Sequence, residues 1–354
     1  MAALDETLDV VSLTVALCNI ESVSGNEKTV ADAIEALLRG KTHLEVKRDG
    51  NAVVASTNLG RAQRVIIAGH IDTVPVNANL PVSVSGDEIV GRGTVDMKAG
   101  VAVVLRLALD LNTPIHDVTW IFYDNEEVDS ALNGLGRLAD NHPDWLKADF
   151  AILGEPSNAS IEGGCNGTLR AVVRARGKRA HSARSWMGVN AIHAASEILA
   201  RLNDFQAETV TVDGLDYREG LNAVAITGGV AGNVIPDDCA VTVNYRFAPS
   251  KTEAVAAELV RELFTGFEVT ITDSAAGARP GADGQLAKGF ISGVGGKIAP
   301  KLGWTDVARF AALGIPAVNF GPGDPALGHA DDERVPVSQI LECERGLRSW
   351  LADD

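Results

Sequence analysis

Four apolar runs of strand length, VIIAG (65–69), VTWIFY (118–123), FAIL (150–153) and AVNF (317–320), are each followed by polar groups with reactive chemistry. His70 and Asp72 follow the first, Glu126 and Glu127 the second, Glu155 the third, and a glycine-rich loop ending in His329 the fourth. Helix-like stretches such as residues 98–111 separate the runs, and this alternation predicts an α/β fold with a mostly parallel sheet. Ligands in open α/β sheets bind beyond the carboxyl ends of the strands, so the four strand ends are expected to serve one site. Residues 5–20 and 26–39 read as helices, the second with Val30, Ile34, Leu37 and Leu38 at helical spacing and Gly40 as its stop.

Beyond residue 166 the pattern changes. A strand-like TLRAVVRARG is followed by a helix near 188–202, strands near 221–231 and 239–247, a helix near 252–264 and a final EVTITD strand. That β-α-β-β-α-β order predicts a compact two-layer α+β domain. The expected organisation is a first domain of residues 1–166 plus 283–354, with residues 167–282 inserted into it. A length of 354 residues suits two domains. Charged residues make up 22% of the chain and hydrophobic ones 46%, ordinary globular usage that argues against disorder.

The formal net charge of −16 repels phosphate backbones and anionic lipid, so neither nucleic acid nor a membrane is an expected partner. No run of eighteen apolar residues is present. The first twenty residues carry Asp5, Glu6 and Asp9 where an export signal needs positive charge, and the expected location is the cytoplasm. Cys18, Cys165, Cys239 and Cys343 lie far apart, with no spacing that suggests a zinc knuckle or redox pair, and are expected to be reduced thiols.

The polar groups can be weighed one segment at a time. In GHIDTVP (69–75), His70 and Asp72 stand two apart at a strand end, where alternation can put both on one side. A metal-binding His70 oriented by Asp72 fits this spacing, and so does a structural His–Asp pair. In GRGTVDMKAG (91–100), Asp96 is either a carboxylate offered from a glycine-flanked turn or the N-cap of the next helix. Adjacent Glu126 and Glu127 in DNEE point to opposite sides of an extended chain and can take different tasks, or can form a surface acidic pair. Glu155, between Gly154 and Pro156, is a turn acid or a buried carboxylate that needs a metal or a partner. Taken together, two histidines and several carboxylates at successive strand ends would concentrate negative charge, which two divalent cations would neutralise. Nitrogen and oxygen donors without cysteine suit zinc, with cobalt or manganese as substitutes. A carboxylate-bridged pair about 3.5–4 Å apart is a common device for activating water. GxSxG is absent and no cysteine lies in a motif, so a serine or cysteine nucleophile has no support.

In their order along the chain, GHIDTVP, GRGTVDMKAG, NEE, GEP and the late FGPG…H resemble the co-catalytic dizinc aminoacylase/carboxypeptidase family. The resemblance covers essentially the whole chain. It implies a metallohydrolase catalytic domain with an inserted lid and dimerisation domain, hence a homodimer. His70 and Glu155 would hold one metal and Glu127 and His329 the other, with Asp96 bridging. Glu126 would be the general base and Asp72 the group that orients His70. A non-proline cis peptide is implied at Asp96–Met97. His181, in RGKRAHSA, falls where the family has a histidine that reaches the partner subunit's site and stabilises the oxyanion. Arg246 and Arg309 resemble positions that hold substrate carboxylates, Asn233 a substrate-binding lid position, and Thr305 a loop that closes over the substrate. NEEVDSALNGLG, GCNGTLR and GWTDVARF look like an actinobacterial desuccinylase branch. The implied substrate is thus an N-acyl amino acid, N-succinyl-LL-2,6-diaminopimelate, with an acetylornithine deacetylase or a related aminoacylase or dipeptidase as the alternative. The chain departs from the better-known desuccinylase pattern at CNG (165–167), which lacks neighbouring arginines, and at HADDERV.

Overall fold

The computed structural model describes residues 4–352. The chain divides into two compact units, Met1–Gly163 with Pro280–Ala299 and Thr305–Asp354, and Gly164–Arg279 with Pro300–Trp304. The short return to the second unit has local causes that hydropathy does not reveal. Trp304 Nε1 donates to the Ala276 carbonyl at 3.0 Å, and the Lys301 carbonyl accepts from Asn166 N–H at 3.3 Å.

The first unit is built on an eight-stranded sheet. Its centre runs Asp117–Tyr123, Arg64–His70, Phe150–Leu153, Ala317–Asn319, all parallel. These are the four apolar runs, and because they are parallel their carboxyl ends share one edge. The flanks are antiparallel: the hairpin Glu45–Asp49/Ala52–Ser56 joins beside Asp117–Tyr123, and Ile161–Gly163 beside Ala317–Asn319. The sequence reading did not separate these strands, because EVKRD is polar and short and IEG spans three residues. A further small sheet of Ser83–Ser85, Glu88–Val90 and Arg334–Pro336 was equally silent.

Helix Lys98–Asp110 is buried from Lys98 through Leu109, which explains its nearly continuous apolar sequence. It packs on strand Arg64–His70 and on helices Val10–Cys18 and Val337–Leu351. Gly100 permits the approach of its first turn: a Cβ there would lie 2.1 Å from the Gly154 carbonyl oxygen. Helix Val10–Cys18 starts later than the pattern at 5–20 suggests, because the Asp9 carboxylate accepts Ser12 N–H at 2.7 Å and fixes the N-cap. Lys28–Arg39 buries Val30, Ala31, Ile34 and Leu38 on one face.

The second unit carries a four-stranded antiparallel sheet ordered Gly220–Gly228, Asp238–Phe247, Gly167–Arg176, Glu268–Ala275. Helices Ala191–Asp204 and Glu253–Leu263 pack against it, the former capped by Asn190 and the latter by Thr252. Alternate residues Leu169, Ala171, Val173 and Ala175 enter the shared core. A hairpin of Thr209–Val212 and Leu215–Arg218 precedes the edge strand. All four cysteines are buried thiols outside any disulfide, and among the described residues no helix is long and apolar enough to cross a membrane.

Candidate metal centre

The parallel edge brings seven polar side chains of the first unit together. His70, the last residue of its strand, is buried, with Nε2 3.1 Å from Asp96 Oδ1 and 3.8 Å from Glu155 Oε1. Asp96 turns its other oxygen, Oδ2, towards His329 Nε2 at 3.3 Å. His329 Nε2 also lies 2.9 Å from Glu127 Oε1. One aspartate therefore faces a histidine on either side. Donor atoms of His70, Asp96 and Glu127 all lie within 4.8 Å of one another, close enough to share a cation.

The backbone holds this arrangement in unusual conformations. The Asp96–Met97 peptide is cis, and His329 and Asn125 have φ of 66° and 58°. Asp72 is wholly buried and ties the cluster's floor together. Its Oδ1 accepts Glu126 N–H at 3.0 Å, and its Oδ2 accepts Glu127 N–H at 3.1 Å and Ser24 O–H at 2.7 Å. His70 Nδ1 lies 3.4 Å from the Asp72 carboxylate but 3.1 Å from that residue's own carbonyl oxygen. The imidazole is thus oriented by backbone and side chain alike, which leaves Nε2 for the cluster. Asp72 has a second task that its spacing from His70 did not suggest, namely fixing the Glu126–Glu127 turn.

The charges are strongly coupled. Burial alone would lower the His70 pKa, yet hydrogen bonding to Asp72 and Asp96 holds it well above the usual histidine value. Asp96 and Glu127 push His329 up to about 10. Burial raises Glu126 well above the carboxylate range against the pull of His70, and Asp306, Glu155 and Glu127 add to the rise. The carboxylates gathered around the two imidazoles concentrate negative charge of the kind that divalent cations neutralise. The donor set of two imidazoles and three carboxylates, with every cysteine buried elsewhere, fits zinc-like ions.

The other sequence-derived residues fall into three groups. Arg309 is tied internally: its Nε donates to Asp306 at 2.6 Å and its Nη2 to Ser130 Oγ at 3.0 Å. Asp306 also accepts from Asn133 Nδ2 at 2.9 Å. Thr305 is buried and donates to Asn319 Oδ1 at 2.9 Å. In the second unit His181 and Asn233 are neighbours, since His181 pairs with Val234 and the Asn233 carbonyl accepts Ser182 N–H at 2.9 Å. His181 is exposed, and its Nδ1 accepts Ala183 N–H at 3.1 Å, which puts the ring proton on Nε2. Arg246 is half-buried on the second unit's sheet, its Nε donating to Asn244 Oδ1 at 3.1 Å. Sequence reasoning missed Ser24, an ordinary loop serine, and Glu333, which stands among Asp331, Asp332 and Arg334 and reads as surface charge.

The sequence profile of Peptidase family M20/M25/M40 matches residues 66–353. A protein of Mycobacterium tuberculosis named putative succinyl-diaminopimelate desuccinylase DapE is 54% identical over 351 residues, covering 98% of this chain and 99% of that protein. The succinyl-diaminopimelate desuccinylase of Corynebacterium glutamicum is 49% identical over 361 residues, covering 99% and 98%. Among solved structures, the M20 family metallo-carboxypeptidase Sso-CP2 of Sulfolobus solfataricus superposes with a TM-score of 0.80 at 16% identity, covering 97% and 98%. A tripeptidase of Staphylococcus aureus gives a TM-score of 0.79 at 20% identity, covering 99% and 98%. At such identities the superpositions speak for the fold, whereas the profile and the two sequence relatives place the chain itself: it belongs to peptidase family M20/M25/M40.

Proposed function

We propose that this chain is a metal-dependent amide hydrolase that removes succinate from N-succinyl-LL-2,6-diaminopimelate and leaves LL-2,6-diaminopimelate. The observation that carries the reading is 54% identity, across 98% of the chain, to a protein named for that reaction. The donor cluster supplies the chemistry such a reaction needs. His70 and Glu155 would hold one ion and Glu127 and His329 the other, with Asp96 between them, a division supported by the opposite directions of the two Asp96 oxygens. Two divalent ions, zinc or in its place cobalt or manganese, would supply charge neutralisation, a more acidic water and polarisation of the amide carbonyl.

The residues do the rest. Glu126, whose buried carboxyl has a raised proton affinity, takes the proton from the attacking water and returns it to the departing amine nitrogen. Asp72 holds the turn that presents Glu126. His181, with its proton on Nε2, is built to donate to a developing oxyanion. Arg246 and Arg309 are the candidate carboxylate holders, Arg246 the stronger because its Nε partner is the neutral Asn244 whereas Arg309 already holds the Asp306 carboxylate. Asn233, beside His181, and Thr305 complete the candidate substrate contacts.

The active form in this reading is a homodimer joined through the second unit. Gly220–Gly228 is an edge strand with unpaired backbone groups, and it exposes Val224 and Ile226, while helix Ala191–Asp204 exposes Ile192 and Leu199. Four cysteines outside any disulfide suit a cytoplasmic, reducing compartment. The test is succinate release by zinc-reconstituted protein from N-succinyl-LL-2,6-diaminopimelate, with N-acetylornithine and a dipeptide run beside it and a chelator control for each. Selective, chelator-sensitive succinate release supports the reading. Hydrolysis of another substrate alone overturns the substrate and keeps the metal chemistry.

A further inference from the structure

Two segments of the cluster come from distant parts of the sequence: the turn that carries Asp96 and the loop that carries His329. Neither is held by regular secondary structure at the ligand itself. The side chain of His329 is 54% exposed, and His329 sits at positive φ, so something else must fix its loop. The residue that joins the two segments is Glu333. It is fully buried, and its Oε1 accepts two successive backbone N–H groups, Val95 at 2.8 Å and Asp96 at 3.1 Å. Its Oε2 accepts from Arg92 Nη1 at 2.8 Å, and its own carbonyl accepts Gly91 N–H at 2.8 Å. Arg92 Nη1 also reaches the Ala330 carbonyl at 3.3 Å, next to His329. Immediately beyond, Arg334–Pro336 pairs with Glu88–Val90, so the two segments leave one small sheet side by side.

We propose that Glu333 is a positioning residue for the metal pair: through Oε1 it sets the backbone of Asp96 relative to the His329 loop, and so sets how tightly the ions are held. A carboxylate oxygen that takes the N–H of a ligand residue and of the residue before it fixes where that ligand's Cα can go. Length is therefore what the position requires, and charge serves the partner Arg92. The inference rests on the metal-binding reading of the cluster and is independent of the substrate.

Glu333→Asp and Glu333→Gln separate the two requirements. Aspartate keeps the charge beside Arg92 but is one methylene too short to hold both that guanidinium and the two N–H groups. Glutamine keeps the length and an accepting oxygen but loses the charge. Full-length apoprotein of each variant and of the wild type is titrated with cobalt, read by the visible absorption of the bound ion and by competition with a chelator, and the melting temperature of the metal-free forms is measured alongside. Glu333→Asp should weaken cobalt binding about 10–100-fold, the usual effect of losing a group that orients a ligand, and should alter the visible band. Glu333→Gln should melt lower yet bind cobalt within about threefold of wild type. If Glu333→Gln proves too unstable, adding Arg92→Met removes the unpaired guanidinium, and the double variant should meet the same criterion. The reverse order of cobalt affinities, or affinities that follow melting temperature across the set, overturns the positioning role and leaves Glu333 as a neutraliser of Arg92. Wild-type protein that binds no cobalt would instead overturn the metal reading itself.

Discussion

Replacing Asp72 by Asn separates two ways in which this carboxylate can serve the site. The change keeps shape but converts one accepting oxygen into an NH2 group. Three donors converge on the present carboxylate, two of them, Glu127 N–H and Ser24 O–H, on Oδ2. An asparagine oxygen turned to Oδ1 leaves Glu127 N–H facing an amide NH2, and turned the other way it strands Glu126 N–H. A buried donor left without a partner costs about 1–3 kcal/mol. The remaining bonds also lose their charge assistance. The cost falls on the turn that presents the base, and at about 1.4 kcal/mol per factor of ten it lowers kcat by about 10–100-fold at saturating metal. His70 Nδ1 keeps its 3.1 Å contact with the Asp72 carbonyl, so metal affinity should fall less, by about tenfold or under. Steady-state kinetics across a zinc series, with metal affinity by chelator competition, reads both quantities. Wild-type kcat at saturating zinc, combined with a large loss of affinity, would refute this reasoning and show that Asp72 acts through His70 alone.

Other outcomes follow from the same geometry. Glu126→Gln should lower kcat by about 10²–10⁴-fold while metal content by elemental analysis stays at the wild-type level. His329→Ala removes the nitrogen that faces both Asp96 and Glu127, and elemental analysis should find one ion fewer per chain. In metal-free protein His329 is raised from the ordinary 6.5 to about 10 by the hydrogen bonds it donates to Asp96 and Glu127, so its contribution to stability is full below pH 6.5 and is lost as pH rises towards 10. A cation must displace that proton, so apparent zinc affinity, measured by competition with a chelator of known pH dependence, should rise with pH through the same window. Gly100→Ala forces a Cβ to within 2.1 Å of the Gly154 oxygen and should cost about 1–3 kcal/mol, a drop of several degrees in melting temperature.

What could be read from the sequence depended on the kind of signal. The central parallel strands are buried along nearly their whole length, and burial on both faces writes a continuous apolar run that hydropathy reveals. Polar residues at the ends of those runs were visible for the same reason, because they interrupt a pattern. Short edge strands such as Ser83–Ser85 leave no such trace, since three exposed residues carry neither period nor apolar content. The second role of Asp72 and the role of Glu333 were hidden for a different reason. Each acts through backbone N–H groups of residues far away in the chain, and no spacing in the sequence encodes which amide a carboxylate will meet. Arg309 shows the opposite hazard, for its match to a carboxylate-binding position gave no hint of the tie to Asp306.

The paired-metal claim is tested most directly by counting. Metal-free protein is titrated with zinc while succinate release from N-succinyl-LL-2,6-diaminopimelate and bound metal are followed in the same samples. Activity should reach its maximum only as bound zinc reaches two ions per chain, with both falling together when chelator is added. Full activity at one ion per chain, or activity that survives removal of all metal, would contradict it.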